Sequence, residues 1–147
     1  MLSALDLARR IEAGELTPRA VVDMCAEAIA AREKEVHAFV VLGLVAARRA
    51  AENPNLPSTP LRGLSVGFKD IFDTADFPTQ YGSPIYVGFQ PRADAAAVAL
   101  TRRAGGIVIG KTVTTEFAAT EPRGTTSLMT NSRIFWCVLV FGGAANM

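Results

Sequence analysis

The sequence predicts an α/β fold, on three observations. Two stretches with helical apolar periodicity open the chain. The segment "GLSVGFKD" (63–70) alternates as a half-buried strand does, and "IVIG" (107–110) is a short continuous apolar run of the kind found inside a sheet. Between them, a helical stretch from Asp94 to about Ala104 ends at Gly105 and Gly106. The order strand, loop, helix, Gly-Gly, strand predicts parallel pairing in a layered sheet.

Taken in order, residues 3–13 read as a short helix. Ser3 caps it, Asp6 stands three positions later as in a capping box, and Gly14 stops it. Leu5, Ala8 and Ile11 line one face. A second helix starts with Thr17 as cap and Pro18 in the first turn, with Val21, Cys25, Ala28 and Ile29 as its apolar stripe. "AFVVL" (38–42) reads as a buried strand and 44–52 as helix, followed by a linker-like loop, "NPNLPSTP" (53–60). Leu64 to Lys69 and Ile71 to Thr74 are strand-like. Residues 75–92 hold Pro78, Gly82, Pro84, Gly88 and Pro91, and so form a long irregular loop of a length that is often functional. Asp94 is the expected cap of the next helix, and Thr114 or Thr115 that of a helical turn through Glu116 and Phe117. The chain divides into a helical layer (1–60), a core segment (61–122) and a tail of different character (123–147).

Composition narrows the function classes. The chain has 147 residues, half of them hydrophobic and a fifth charged, with a net charge of +1. That suits one domain, or part of a larger one. Scattered charges give no footprint for nucleic acid or an anionic membrane. Cys25 and Cys137 are far apart and match no metal spacing, which favours a reduced, cytoplasmic setting. The lone His37 has no second ligand nearby. Charges at Asp6, Arg9 and Arg10 interrupt any signal-peptide core. The longest apolar run, "IFWCVLVF" (134–141), is far short of the roughly 20 residues of a membrane-spanning helix.

Lysine is scarce: Lys34, Lys69 and Lys111, against twelve arginines. Arginine keeps its proton in proteins, whereas a desolvated lysine can release one. Leu64, Val66 and Phe68 are expected on one strand face, and Ser65, Gly67 and Lys69 on the other. Gly67 leaves room beside the lysine, and Asp70 points away from it. Lys69 is therefore a candidate general base for a serine hydroxyl. The plainer alternative is a lysine whose stem packs while its ammonium reaches water. Lys111, at the end of "IVIG", passes the same test, so spacing alone leaves both open.

"PLRGLSVGFKDIFDTADFPTQYGS" (60–83) closely resembles the lysine segment of the amidase signature family. "DAAAVALTRRAGGIVIGKTVTTEFA" (94–118) resembles the helix, strand and "GKT…EF" stretch that follows it, and the "TP…V" start at 17–21 resembles the family's entry. The resemblance covers roughly residues 1–122. It implies a mixed β-sheet flanked by helices, present here as its N-terminal portion, with no metal and no organic cofactor. It implies hydrolysis of amides by a serine nucleophile, a bridging serine in a cis peptide and a lysine, through an acyl-enzyme. Lys69 falls on the family's lysine, which selects it over Lys111.

The chain also departs from that pattern. A Gly-Gly-Ser-Ser-Gly-Gly-like run should follow and supply the bridging serine. "GGAANM" (142–147) stands at about that distance, with Ala144 in the serine's place, and the nucleophile's segment is missing. Ser127 and Ser132 match neither motif. The expectation is an amidase acting on small-molecule amides, represented by a fragment that is inactive alone and whose tail is either truncated or out of frame, or a remnant that has lost both serines. The alternatives are the glutamine-hydrolysing subunit of an aminoacyl-tRNA amidotransferase, with a partner subunit, and a non-catalytic fragment that folds poorly or binds a partner, marked by the uncovered run 134–141; a homo-oligomer or a missing C-terminal half is the further partner expectation. A Schiff-base lysine enzyme has no support beyond Lys69 itself.

Overall fold

The computed structural model describes residues 2–119. Helix α1 (Ala4–Glu12) begins as its sequence predicts. The Ser3 hydroxyl accepts from the Asp6 amide, and the Asp6 carboxylate accepts from the Ser3 amide, closing the capping box. Helix α2 (Pro18–Val36) is capped by the Thr17 hydroxyl and ends on His37 in the left-handed region. Strand β1 (Phe39–Leu42) and helix α3 (Leu44–Ala50) follow. Then come β2 (Ser65–Lys69), α4 (Ala96–Arg103) and β3 (Ile107–Thr112).

The sheet among the described residues is mixed, in the order β1-β3-β2. Strand β2 pairs with β3 in parallel, as the crossover through α4 predicts, and β1 pairs antiparallel on the other side. Every residue of β3 is buried. On one face Ile107 and Ile109 pack against Val22 and Ile29 of α2 and Ala47 of α3. On the other, Val108 meets Val66 and Phe68 of β2, Val98 of α4 and Phe77. A third cluster joins Leu7 and Ile11 of α1 to Val21 and Cys25 of α2.

Several expectations change. In α1 the buried face is Leu7 and Ile11, and Leu5 is exposed. Strand β1 is not buried: it lies at the edge of this sheet and Val40 is exposed. The 53–60 segment is no linker, because Leu56 sits in the core between α2 and α3. Ile71–Thr74 turns instead of continuing as a strand, since the Ile71 and Phe72 amides both fold back onto the Lys69 carbonyl. Asp94 does not cap α4: its carboxylate accepts from the Ala75 amide at 2.8 Å and ion-pairs with Arg102 at 2.9 Å. Leu64 packs with the α1–α2 cluster, apart from Val66 and Phe68. Among the described residues no helix is long and apolar enough to cross a membrane.

Candidate active site

Lys69 is the last residue of β2, half-buried, in register with Thr112 of β3. Phe68 is in register with Lys111. Alternation along β2 places Phe68 and Lys69 on opposite faces, so Lys69 faces away from the side on which Lys111 lies. Lys111 owes its side to an irregularity. Val66 pairs with Val108, but Gly67 pairs with Gly110, so β3 carries one extra residue. Strict alternation would put Lys111 with Ile107 and Ile109, against α2 and α3. The extra residue turns it instead to the face of Phe68 and Val108. Gly110 sits at that irregularity, close against Val41 and Leu42 of β1.

Asp70 is fixed through every polar group it has. Its amide donates to the Thr112 carbonyl at 2.8 Å, and its carbonyl accepts from the Tyr81 amide at 3.0 Å. Its carboxylate accepts from the Gln80 amide at 3.2 and 3.3 Å and lies 3.2 Å from Lys111 Nζ. Lys111 Nζ also donates to Thr79 Oγ1 at 2.6 Å and, at 3.4 Å, to the Pro78 carbonyl. Lys111 is 0% exposed and Asp70 1%. Burial pushes the Asp70 carboxyl up and the Lys111 ammonium down, and the charge of each on the other opposes that drift. Among the described residues, no side chain hydrogen-bonds or ion-pairs with the Lys69 amine. The Asp70 carboxylate lies on the Lys111 side of the sheet.

The long loop after β2 wraps this pair. Tyr81, in the left-handed region, donates its hydroxyl to Asp73 at 2.5 Å, and that bond pushes its own ionisation up to about 12. The Phe117 amide donates to the Tyr81 carbonyl at 2.7 Å, and Ser83 Oγ donates to Glu116 at 2.9 Å. Gly82 has φ +66°, and a Cβ there would lie 2.8 Å from the carbonyl oxygens of Thr114 and Thr115. The loop is thus strapped to the segment after β3, where Glu116–Ala118 forms a short 3-10 turn without a side-chain cap from Thr115.

Sequence reasoning named Lys69 and Lys111 but missed Thr79, whose hydroxyl receives the buried ammonium. No local signal marks it, because the contact spans 32 positions. Two surface hollows flank α3, each about 510 Å³. Arg49 and Asp76 line both, and Lys69 lines neither. Among the described residues no cluster of three or more His, Cys, Asp or Glu side chains could hold a metal ion. His37 is exposed, and Cys25 is buried and free. Ala144, Ser127 and Ser132 lie outside the described residues, as does the apolar run 134–141.

The family model described as Amidase matches residues 20–129. The chain belongs to the amidase family. A glutamyl-tRNA(Gln) amidotransferase chain of Rhodopirellula baltica is 36% identical over 122 residues, covering 79% of this chain and 24% of that protein. The peptide amidase of Stenotrophomonas maltophilia superposes with a TM-score of 0.70 at 31% identity, over 78% of this chain and 25% of that one. A structure described as a vestigial complex bearing on the origins of an s-triazine catabolic enzyme gives 0.73 at 27% identity, over 80% and 27%. The chain spans about a quarter of the length of the curated relatives it matches.

Proposed function

We propose that this chain carries the base of an amide hydrolase, with Lys69 as that base in a serine–serine–lysine relay. The observation that carries the reading is Lys69 at the end of β2 with its neighbouring carboxylate held by Lys111 on the opposite face. The amine takes the role of general base, with the neighbouring carboxylate engaged elsewhere. It would take the proton of a bridging serine, which takes that of the nucleophilic serine as its oxygen attacks the amide carbon. The C–N bond breaks, the amine leaves with a proton, and water then cleaves the acyl-enzyme. A small-molecule amide is the substrate class. The free, buried Cys25 is compatible with a cytoplasmic setting.

With Ala144 read at the bridging position there is no hydroxyl there to relay a proton, and the 147-residue polypeptide is expected to hydrolyse no simple aromatic amide. The names of the curated relatives favour a second reading, the glutamine-hydrolysing subunit of a tRNA amidotransferase. Its distinguishing test is co-purification with a partner subunit. The primary test is a chimera in which residues 1–119 replace the matching segment of the Stenotrophomonas peptide amidase. It should release ammonia from peptide amides, and Lys69→Ala should reduce kcat by at least about a thousandfold. A folded chimera indifferent to Lys69→Ala defeats the proposal.

A further inference from the structure

We infer that Asp70 and Lys111 are positioning residues for Lys69: Lys111 holds the Asp70 carboxylate on the far face of the sheet, and so keeps that carboxylate from pairing with the adjacent amine. This rests on Lys69 being the base, but it concerns a different pair of side chains and is read out differently.

Three observations carry it. The first is adjacency. Asp70 directly follows Lys69, and an acidic side chain there is the nearest carboxylate along the chain. A carboxylate within about 4–6 Å of a lysine favours its charged form, the wrong state for a base. The second is the completeness of the capture. Asp70 is held by Lys111 Nζ, by the Gln80 amide and through both of its own peptide groups, and it is buried. It cannot swing toward Lys69 without leaving an ammonium uncompensated in the core. The third is the irregularity in β3, which brings Lys111 to the face where Asp70 lies. Had β3 run straight, Lys111 would point into the apolar cluster under α2 and α3, and Asp70 would have no cation on its side.

A structural ion pair alone would explain the burial. The positioning role makes a further demand, that the charge on Asp70 be invisible to Lys69. The other titratable groups gathered around the pair are Asp73 and Asp76 on the following turn and Tyr81 on the loop. Tyr81 donates to Asp73 and Arg102 ion-pairs with Asp76, so these carboxylates too are engaged. Glu116, on the turn after β3, accepts from Ser83.

The test is competitive labelling of the full chain with acetic anhydride across a pH series, followed by peptide mass spectrometry. Exposed Lys34 is the internal reference; buried Lys111 marks the integrity of the core in the parent and in Asp70→Asn, and near-UV circular dichroism marks it in the variants that lack Lys111. In Lys111→Met the carboxylate loses its cation, and at a pH where it stays ionised its charge acts on the adjacent Lys69. Its labelling relative to Lys34 at a fixed pH should fall about tenfold, and its profile should move to higher pH by about one unit. The double variant Asp70→Asn/Lys111→Met removes the charge as well, and should return Lys69 to within about twofold of the parent. Asp70→Asn alone should also leave Lys69 within about twofold, because Lys111 already masks that charge. If Lys111→Met does not fold, Lys111→Gln, which removes the cation but can still hydrogen-bond the Asp70 carboxylate, carries the same expectation. The inference fails if Lys69 labels equally in parent and Lys111→Met, if the double variant stays as low as Lys111→Met, or if Asp70→Asn alone raises the labelling severalfold. None of these results bears on whether Lys69 serves amide hydrolysis, which the chimera decides separately.

Discussion

Lys111 Nζ lies 3.2 Å from the Asp70 carboxylate, and both side chains are closed to solvent. One comes from the end of β3 and the other from the first residue after β2. The pair therefore joins the two parallel strands where the long loop departs, and the stability of that end of the sheet depends on it.

Removing one partner is expected to be severe. Lys111→Met leaves a buried carboxylate without its cation and should destabilise the fold by about 3–5 kcal/mol. Asp70→Leu/Lys111→Met, which replaces both charges with apolar groups, should recover most of that loss. Urea unfolding of the three proteins checks it. A double variant no more stable than Lys111→Met would show that the pair is not what the substitution disrupts.

The first helix gives a pH prediction. The Ser3 hydroxyl, then the Ser3 amide, hold the Asp6 carboxyl below its ordinary value of 3.8. A carboxyl lowered on folding contributes stability that is present above 3.8 and is lost as pH falls through its folded value. Protection of the α1 amides from exchange should therefore fall below about pH 4 while β3 stays protected, and Ser3→Ala, which keeps the backbone amide at position 3 but removes the hydroxyl, should weaken that local pH dependence. Ser3→Ala itself should cost about 1 kcal/mol as the loss of a helix cap. Protection in α1 that is flat from pH 6 to 3 would contradict the capping account.

Gly82 supplies a backbone prediction. Alanine there would be strained at φ +66° and would press on the carbonyls of Thr114 and Thr115. Gly82→Ala should cost about 1–3 kcal/mol and loosen the strap between the loop and the turn after β3. Faster proteolysis within 80–90, with α1 and α2 unaffected, is the expected result. Unchanged proteolysis would mean that the strap does not hold the loop.

Much of the fold was legible because it is local. The capping box at Ser3 and Asp6, the Thr17–Pro18 start of α2 and the apolar run of β3 each depend on residues a few positions apart. The misread pieces depend on distant partners. Asp94 looks like a cap, but its carboxylate is engaged by the Ala75 amide and Arg102. Ile71–Thr74 has strand-like composition, yet the chain turns there because Asp70 is anchored to Thr112 and Tyr81. The same holds at the site. Alternation placed Lys69 and Asp70 on opposite faces, but the side taken by Lys111 follows from an extra residue in β3, which no period reveals.

The central claim is that position 69 must release and accept a proton, not merely carry charge. Lys69→Arg in the peptide amidase chimera tests this most directly, since arginine preserves the charge and keeps its proton. The account predicts hydrolysis as low as in Lys69→Ala, with the chimera still folded. Activity within tenfold of the lysine form would contradict it.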